Sequence, residues 1–324
     1  MADLQTSYMG LPLTSPILVG SSGLTYSVDS IQKLEEAGAG GVVLKSVFEE
    51  QILIESDPAG NEISFHTEGV DYFNAYTKEH HLNHYLELIE GAKKAVSIPI
   101  IASINCMSIS EWITFAKRLE NAGADGLELN YFLLPSDPRM ADLHVEQTLF
   151  EMVRRVLREV KIPVSVKLSP YFSNFANTLQ GLDLLGVKGV TLFNRFYQPD
   201  IDIDKMALVE GQPYSSPDEA SLTLRWMAIA SGIVECDLAA SRGVHNGEGV
   251  IKQLLAGATA VQMVSTIYKN KMGAISVANK FIAEWMDKKG FKSIEDFRGK
   301  LTQSASDDPT FFERVQFLKH FGRM

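Results

Sequence analysis

The sequence predicts an α/β fold in which eight parallel strands close into a ring, and three observations lead there. A helical segment that closes on a small-residue turn and passes into an apolar strand recurs at Glu36 to Leu44 (EAGAGGVVL), Asn121 to Leu129 (NAGADGLEL), Leu185 to Phe193 (LGVKGVTLF) and Ala256 to Val264 (AGATAVQMV). Gly38, Gly123, Gly186 and Gly257 stand at the turns, where a left-handed residue ends a helix and glycine takes that conformation without steric cost. Between these echoes come strands opened by proline: Pro16 before Ile17 and Leu18, Pro99 before Ile100 and Ile101, Pro163 before Val164. Proline lacks an amide donor and is tolerated at the entry of a strand but not inside it. Cys236 to Ala240 supplies a weaker eighth strand. Continuous apolar strands alternating with helices suit a parallel sheet covered by helices, and eight such units in about 250 residues match a TIM (β/α)8 barrel. A doubly wound open sheet is the alternative. The fourfold echo, each period close to two βα units, favours the closed ring.

The chain has 324 residues, 45% of them apolar, enough to bury a large core. Residues 1–301 read as one barrel domain and 302–324 as a C-terminal helical tail. Past Leu301 the sequence turns polar and then amphipathic, with Phe311, Phe312, Val315, Phe317 and Leu318 at partly helical spacing. A helix packed on its own barrel is preferred to a partner-binding tail. With 40 acidic against 30 basic side chains, the net charge of −10 repels a phosphate backbone and argues against nucleic acid as a partner. Cys106 and Cys236 are too few for a disulfide framework and lack the spacing of a zinc or iron-sulfur site, which fits a reducing cytoplasm. No window approaches the roughly 20 apolar residues of a membrane span, and the N-terminus has no basic region followed by an apolar run, so no membrane association is expected.

In a barrel of this kind function belongs at the C-terminal ends of the strands. Taken in order, those ends read Gly20, Ser21, Ser22, Gly23; then Lys45, Ser46; then Ser103, Ile104, Asn105, Cys106; then Asn130; then Lys167, Leu168, Ser169; then Asn194, Arg195; then Ser241, Arg242, Gly243; and last Ser265, Thr266. Together they make a cationic, donor-rich mouth on an acidic protein. Each piece has a plainer reading. A lone lysine after a strand is commonly a solvated loop residue, but Lys45 and Lys167 stand at equivalent positions, each near a small hydroxyl. Asn130 and Asn194 are equally readable as local caps. Arg242 and Gly243, with Ser265 and Thr266, follow strands seven and eight, where barrels often hold a phosphate, and Asn246 suits the N-cap of the helix between. An arginine pairing with a surface carboxylate is the alternative there. The segment Tyr72 to Tyr85, with His80, His81 and His84, lacks the ligand pairing of a metal site and reads instead as a substrate-covering loop or an outer helix.

On these residues the chain resembles the dihydroorotate dehydrogenase family, FMN-binding TIM barrels, and within it the class 1 branch. The resemblance runs from Leu11 to about Leu301, with its most specific pieces at Val166 to Phe172 (VKLSPYF), Leu254 to Gln262 (LLAGATAVQ) and Lys289 to Leu301 (KGFKSIEDFRGKL). The run Leu192 to Asp202 (LFNRFYQPDID) is similar to a dihydroorotate dehydrogenase-like subgroup. The resemblance implies FMN as cofactor, with Ser22 and Gly23 touching the flavin, and Lys45 and Ser46 reaching ring and substrate. It sets Lys167 beside the pyrimidine edge of the ring, where a fixed positive charge favours reduction. Asn130 and Asn194 would hydrogen-bond a flat substrate, with Asn74 as a further substrate contact. Gly243, Ser265 and Thr266 would hold the phosphate, joined by Arg242 where class 1 enzymes carry glycine. A homodimer and a partner for electron transfer are also implied.

Three departures accompany the resemblance. Class 1 enzymes carry a cysteine base three residues past the asparagine, and Leu133 stands there. Tyr131 or Ser136 is the expected substitute, with Asp137 and His144 further along the same loop and Cys106 at the exit of strand three near the mouth. Arg195 replaces a small serine that contacts orotate; it would clamp a carboxylate in bidentate fashion or block orotate. Gly211 to Pro217 (GQPYSSP) keeps one glycine of a pair. The expected activity is oxidation of dihydroorotate, or a similar planar pyrimidine-like acid, with hydride transfer to flavin N5. The alternatives are an FMN-dependent dehydrogenase or reductase on another small-molecule substrate, a Schiff-base aldolase using Lys167, and a non-catalytic barrel that binds FMN or a phosphate.

Overall fold

The structure, a computed structural model, describes residues 2–48, 68–105, 109–139, 144–196 and 198–313, without side-chain detail for 48, 68–81 and 109. The chain opens with an antiparallel hairpin of β1 (Thr6–Tyr8) and β2 (Leu11–Leu13). There follow β3 (Ile17–Val19), α1 (Val28–Glu36), β4 (Gly41–Val43), the two-residue β5 (Val47–Phe48), α2 (Glu68–Ala95), β6 (Ile100–Asn105), α3 (Ile109–Asn121) and β7 (Gly126–Asn130). Next come α4 (His144–Glu159), β8 (Val164–Leu168), α5 (Phe175–Leu185), β9 (Gly189–Leu192) and a second hairpin, β10 (Pro199–Asp202) with β11 (Ala207–Glu210). The chain continues through α6 (Ala220–Ala230), β12 (Asp237–Ala240), α7 (Gly247–Leu255), β13 (Ala260–Met263), α8 (Ser265–Asn270) and α9 (Gly273–Lys289).

The strands β3, β4, β6, β7, β8, β9, β12 and β13 pair in parallel, and the pairings of β4 with β6 and β13 with β3 close the ring. Closure rules out the open doubly wound sheet. The helices end where the small-residue turns stand: Gly38, Gly123, Gly186 and Gly257 take φ between +91° and +105°. Asn246 caps α7, its side chain accepting from the Gly249 amide at 2.9 Å. Among the described residues no helix is long and apolar enough to cross a membrane.

Strand alternation sorts the side chains. Ile17, Val19, Val42, Leu127, Leu129, Val166 and Val190 point outward and join the helices in the main core. The inward residues form layers. At the N-terminal end, Leu18, Val43, Ile101, Ala239 and Ala260 meet Tyr8, Met9 and Leu13 of the first hairpin, which plugs that end of the ring. One layer up, Ser103, Glu128, Ser165, Thr191 and Gln262 are all buried and polar. Above them Lys45, Asn130 and Lys167 face the opposite end. Beyond the barrel, the chain stays against it at least to residue 312: the Gln303 amide donates to the Ala228 carbonyl at 2.9 Å, and Phe312 packs on the core. Only a short 3₁₀ turn, Pro309–Phe312, forms there, and the helical positions Val315, Phe317 and Leu318 lie outside the described residues.

Candidate functional site

At the C-terminal end of the ring the strand exits converge on a cavity of about 410 Å³. Ser21 and Ser22 enter it after β3, Lys45 and Ser46 after β4, Asn130 and Lys167 at the ends of β7 and β8, and Asn194 and Arg195 after β9. Ser241, Arg242 and Gly243 follow β12, and Ser265 follows β13. Parallel strands all end on one face, which is why residues so distant in sequence share it.

The side of the cavity nearest β3, β4 and β7 is built on a chain of hydroxyls. Ser46 Oγ lies 3.0 Å from Ser21 Oγ and 2.8 Å from Ser103 Oγ, and the Ser46 amide donates to Ser21 Oγ at 2.9 Å. Asn130 Nδ2 donates to Ser46 Oγ at 3.2 Å, leaving the buried Asn130 Oδ1 without a partner among the described residues. Asn194 Nδ2 donates to the carbonyls of Lys167 and Tyr131 at 3.3 and 3.4 Å. Carbonyls only accept, so the amide nitrogen of Asn194 must face them and its oxygen is available for a ligand donor. A buried acceptor left unpaired costs about 1–3 kcal/mol, which a bound N–H group would recover.

Lys167 is buried and donates to Gln262 Oε1 at 2.8 Å. Burial pulls its pKa down from the usual lysine range, and the charge of Glu128 pushes back. Arg195 and Arg242 share one carboxylate. Glu219 Oε2 accepts from Arg242 Nε at 2.6 Å and Arg195 Nε at 3.2 Å, while Oε1 accepts from the Ser216 amide at 2.9 Å. The remaining Arg195 nitrogens donate to the carbonyls of Gln212 and Pro213 at 2.9 and 3.2 Å. Each Arg195 nitrogen is thus engaged in bracing Glu219 and residues 212–213, while its side chain also lines the cavity. Arg242 differs: beyond Nε its guanidinium has no partner among the described residues, and it lines the cavity. It stands at φ +83°, a region that non-glycine residues occupy at a cost of about 1–2 kcal/mol.

At the same end Gly243 has φ +72°, and an added Cβ would lie 2.2 Å from the Ala220 nitrogen. Only glycine fits that turn. The Ser215 amide donates to Ser265 Oγ at 3.0 Å, Lys269 Nζ donates to the Ser215 carbonyl at 3.1 Å, and Ser215 Oγ lies 3.1 Å from His245 Nε2. Burial and the neighbouring Lys269 hold His245 below the usual histidine range.

Several expected residues stand elsewhere. Tyr131 points outward between barrel and α4; its phenol donates to the Val145 carbonyl at 2.9 Å, and burial pushes its pKa up. Ser136 is exposed on the following loop, and neither residue lines the cavity. Leu133 packs against the core. Gly23 and Thr266 flank the cavity without lining it, Thr266 Oγ1 donating to the His245 carbonyl at 2.9 Å. Asn74 falls in α2, where side chains are not described; Tyr85, farther along that helix, is buried with its hydroxyl against the backbone of Ser103. Cys106 lies outside the described residues. Sequence reading passed over Glu128, Gln262, Glu219, Ser215 and Phe132. For Glu128 a signal existed, a lone charge inside an apolar strand; for Glu219, in a polar loop, there was none. Phe132 walls the cavity mouth and stacks on Phe196 at 4.0 Å, with Tyr171 edge-on to Phe196 at 5.5 Å.

The described lining contains the cations Lys45, Lys167, Arg195 and Arg242 and no carboxylate, and Asn130 offers a buried, unpaired acceptor. Such a donor set fits a group that joins a phosphate to a flat ring with N–H edges. The sequence model of the family described as dihydroorotate dehydrogenase matches residues 3–286. Relatives include the dihydroorotate dehydrogenase B (NAD(+)) catalytic subunit of Thermoplasma volcanium, 25% identical over 92% of this chain and 98% of the relative. The dihydroorotate dehydrogenase (fumarate) of Lachancea kluyveri is 24% identical over 93% and 98%, and the dihydroorotate dehydrogenase A (fumarate) of Lactococcus lactis 25% over 92% and 99%.

Proposed function

The chain belongs to the dihydroorotate dehydrogenase family, and on that premise we propose that it is an FMN-dependent oxidoreductase that oxidises dihydroorotate or a similar planar pyrimidine-like acid. The observation that carries this reading is the convergence of Lys167, Asn130 and Asn194 on one cavity, two amides offering acceptors beside a buried ammonium. Bound FMN would supply the hydride acceptor. Ser22, Lys45, Ser46, Asn130, Lys167 and Asn194 would hold its ring, with Gly23 at the margin, and Arg242, Gly243, Ser265 and Thr266 its phosphate. Asn130 and Asn194 would orient the substrate N–H groups, with Asn74 as a further contact, and Lys45 would meet the substrate carboxylate. Arg195 would act as a strut for the phosphate-end loop.

A second reading is favoured by Leu133. Among the described residues lining the cavity none is a cysteine, histidine, tyrosine or carboxylate, which supports an FMN enzyme acting on a different substrate from dihydroorotate. An anaerobic absorbance spectrum of the FMN-loaded protein, taken before and after adding dihydroorotate, separates the two. Bleaching of the flavin band is the expected result. A bound flavin that stays oxidised removes dihydroorotate and leaves the second reading; failure to bind FMN overturns both. Family membership leaves the Schiff-base aldolase without support.

As part of the same reading the protein is a cytoplasmic homodimer, reoxidised by a small molecule or an electron-transfer partner at the cavity mouth. The hairpin β10–β11 supports the dimer, since it exposes Ile201, Ile203, Met206 and Leu208 together.

A further inference from the structure

Glu128 is fully buried in the barrel interior, two residues before Asn130 on the inward face of β7. Its neighbours point their protons at it. Gln262 Nε2 donates to Glu128 Oε2 at 2.7 Å, and Thr191 Oγ1 donates to the same oxygen at 2.9 Å. Because Thr191 has a single proton and spends it there, the 3.2 Å contact with Tyr8 is donated by Tyr8. Glu128 Oε1 has no partner among the described residues. A core selected for stability alone would fill this layer with apolar side chains, since a buried charge and an unpaired oxygen both cost free energy.

Gln262 turns this anion into an orientation. A carboxylate oxygen only accepts, so the Gln262 amide nitrogen faces Glu128 and its oxygen must face the other way, where Lys167 Nζ donates to it. We infer that Glu128 is a positioning residue that acts through Gln262 to keep Lys167 an ammonium with its remaining N–H groups turned into the cavity. Burial drives Lys167 toward the neutral amine, and Glu128 is the charge that opposes it. Without that charge the Gln262 amide is free to reverse and set its own N–H groups against the ammonium. The other groups around Lys167 do not replace Glu128. Tyr8 is held neutral by burial and by Glu128, with Asp237 adding to the effect from β12. Lys45, Arg195 and Arg242 line the same cavity and repel a cation. The consequence for chemistry rests on the proposed FMN site, where a fixed positive charge at Lys167 favours reduction.

The test reads Lys167 directly in the apoprotein, by competitive labelling with acetic anhydride across a pH series and mass spectrometry of the Lys167 peptide. Glu128→Gln is expected to lower the labelling midpoint by about one pH unit or more, a tenfold loss of proton affinity. Thr191→Val, which removes a hydrogen bond of the network but no charge, should leave the midpoint in place. An unmoved midpoint in Glu128→Gln overturns the inference, and so does an equal fall in Thr191→Val, which would mark a purely structural role. If Glu128→Gln does not fold, Gln262→Met severs the bridge while keeping both charges; a lower midpoint is again expected and an unchanged one is fatal. The midpoint potential of bound FMN gives a second readout, expected to become more negative in Glu128→Gln. Should FMN not bind, the labelling still decides the role of Glu128 and only the proposed function fails. Should FMN bind with potential and labelling unchanged, Glu128 alone is dismissed.

Discussion

Arg242 shows how one residue can carry opposed terms. Its left-handed backbone, at φ +83°, costs roughly what its 2.6 Å bond to Glu219 returns. Arg242→Gly relieves the first and deletes the second, so stability should change by less than about 1 kcal/mol. The guanidinium nitrogens beyond Nε, without partners among the described residues, have no such offset. FMN affinity is expected to fall about tenfold or more, the loss of roughly one charge-assisted contact. Denaturant unfolding of the apoprotein and fluorescence titration with FMN measure the two separately, and an unchanged FMN affinity would remove Arg242 from the phosphate site. Tyr131 illustrates phase. It follows Asn130 on a strand whose side chains alternate, so if Asn130 faces the cavity its neighbour must face the helices. That much was legible in the period-two pattern, and the outward phenol at Val145 follows from it.

At the scale of elements, the strand exits were readable because a parallel ring delivers every exit to one face. The loops beyond them were not. The segment from Gly211 to Pro217 is shaped by bonds to Arg195, past the end of β9, and to Ser265 and Lys269 of α8, all distant in sequence, and no local pattern announces such partners. The hairpin β10–β11 stands out for the opposite reason. An isolated two-stranded hairpin is marginal in water, and this one leaves Ile203 and Leu208 about four-fifths exposed. If a second copy of the chain covers it, Ile203→Asp should shift the protein from dimer to monomer in light scattering, with the flavin spectrum retained. A wild-type protein that is already monomeric at micromolar concentration would refute the dimer.

For the whole molecule, acid is the expected weakness. His245 sits below its ordinary pKa because burial and Lys269 disfavour the cation. A depressed value means that its contribution is complete above about pH 6.5, the unfolded value, and is lost as pH falls through the folded one. Glu219 behaves likewise lower on the scale. Burial alone would raise it, but the Ser216 amide, Arg242 and Arg195 outweigh burial and hold it down. Its contribution is present above about pH 4.3 and lost below. Urea unfolding across pH 7 to 3.5 should therefore weaken in two steps. Glu219→Gln should cost roughly 2 kcal/mol at neutral pH and abolish the lower step; persistence of that step in the variant would assign it to other carboxylates.

The sequence by itself determined the ring and the face on which function gathers, because apolar periodicity, proline entries and glycine turns are local and each acts within a few residues. It also supplied Lys45, Lys167, Asn130, Asn194, Arg242 and Gly243, since their place follows from the strand that precedes them. Tertiary structure decided what those groups face. The pairing of Arg195 and Arg242 with Glu219, and the line from Glu128 through Gln262 to Lys167, join residues from separate strands and loops across the barrel. Hydrogen-bond direction and desolvation depend on distances that exist only once the ring has closed, and they set both the charge of Lys167 and the free face of Arg242.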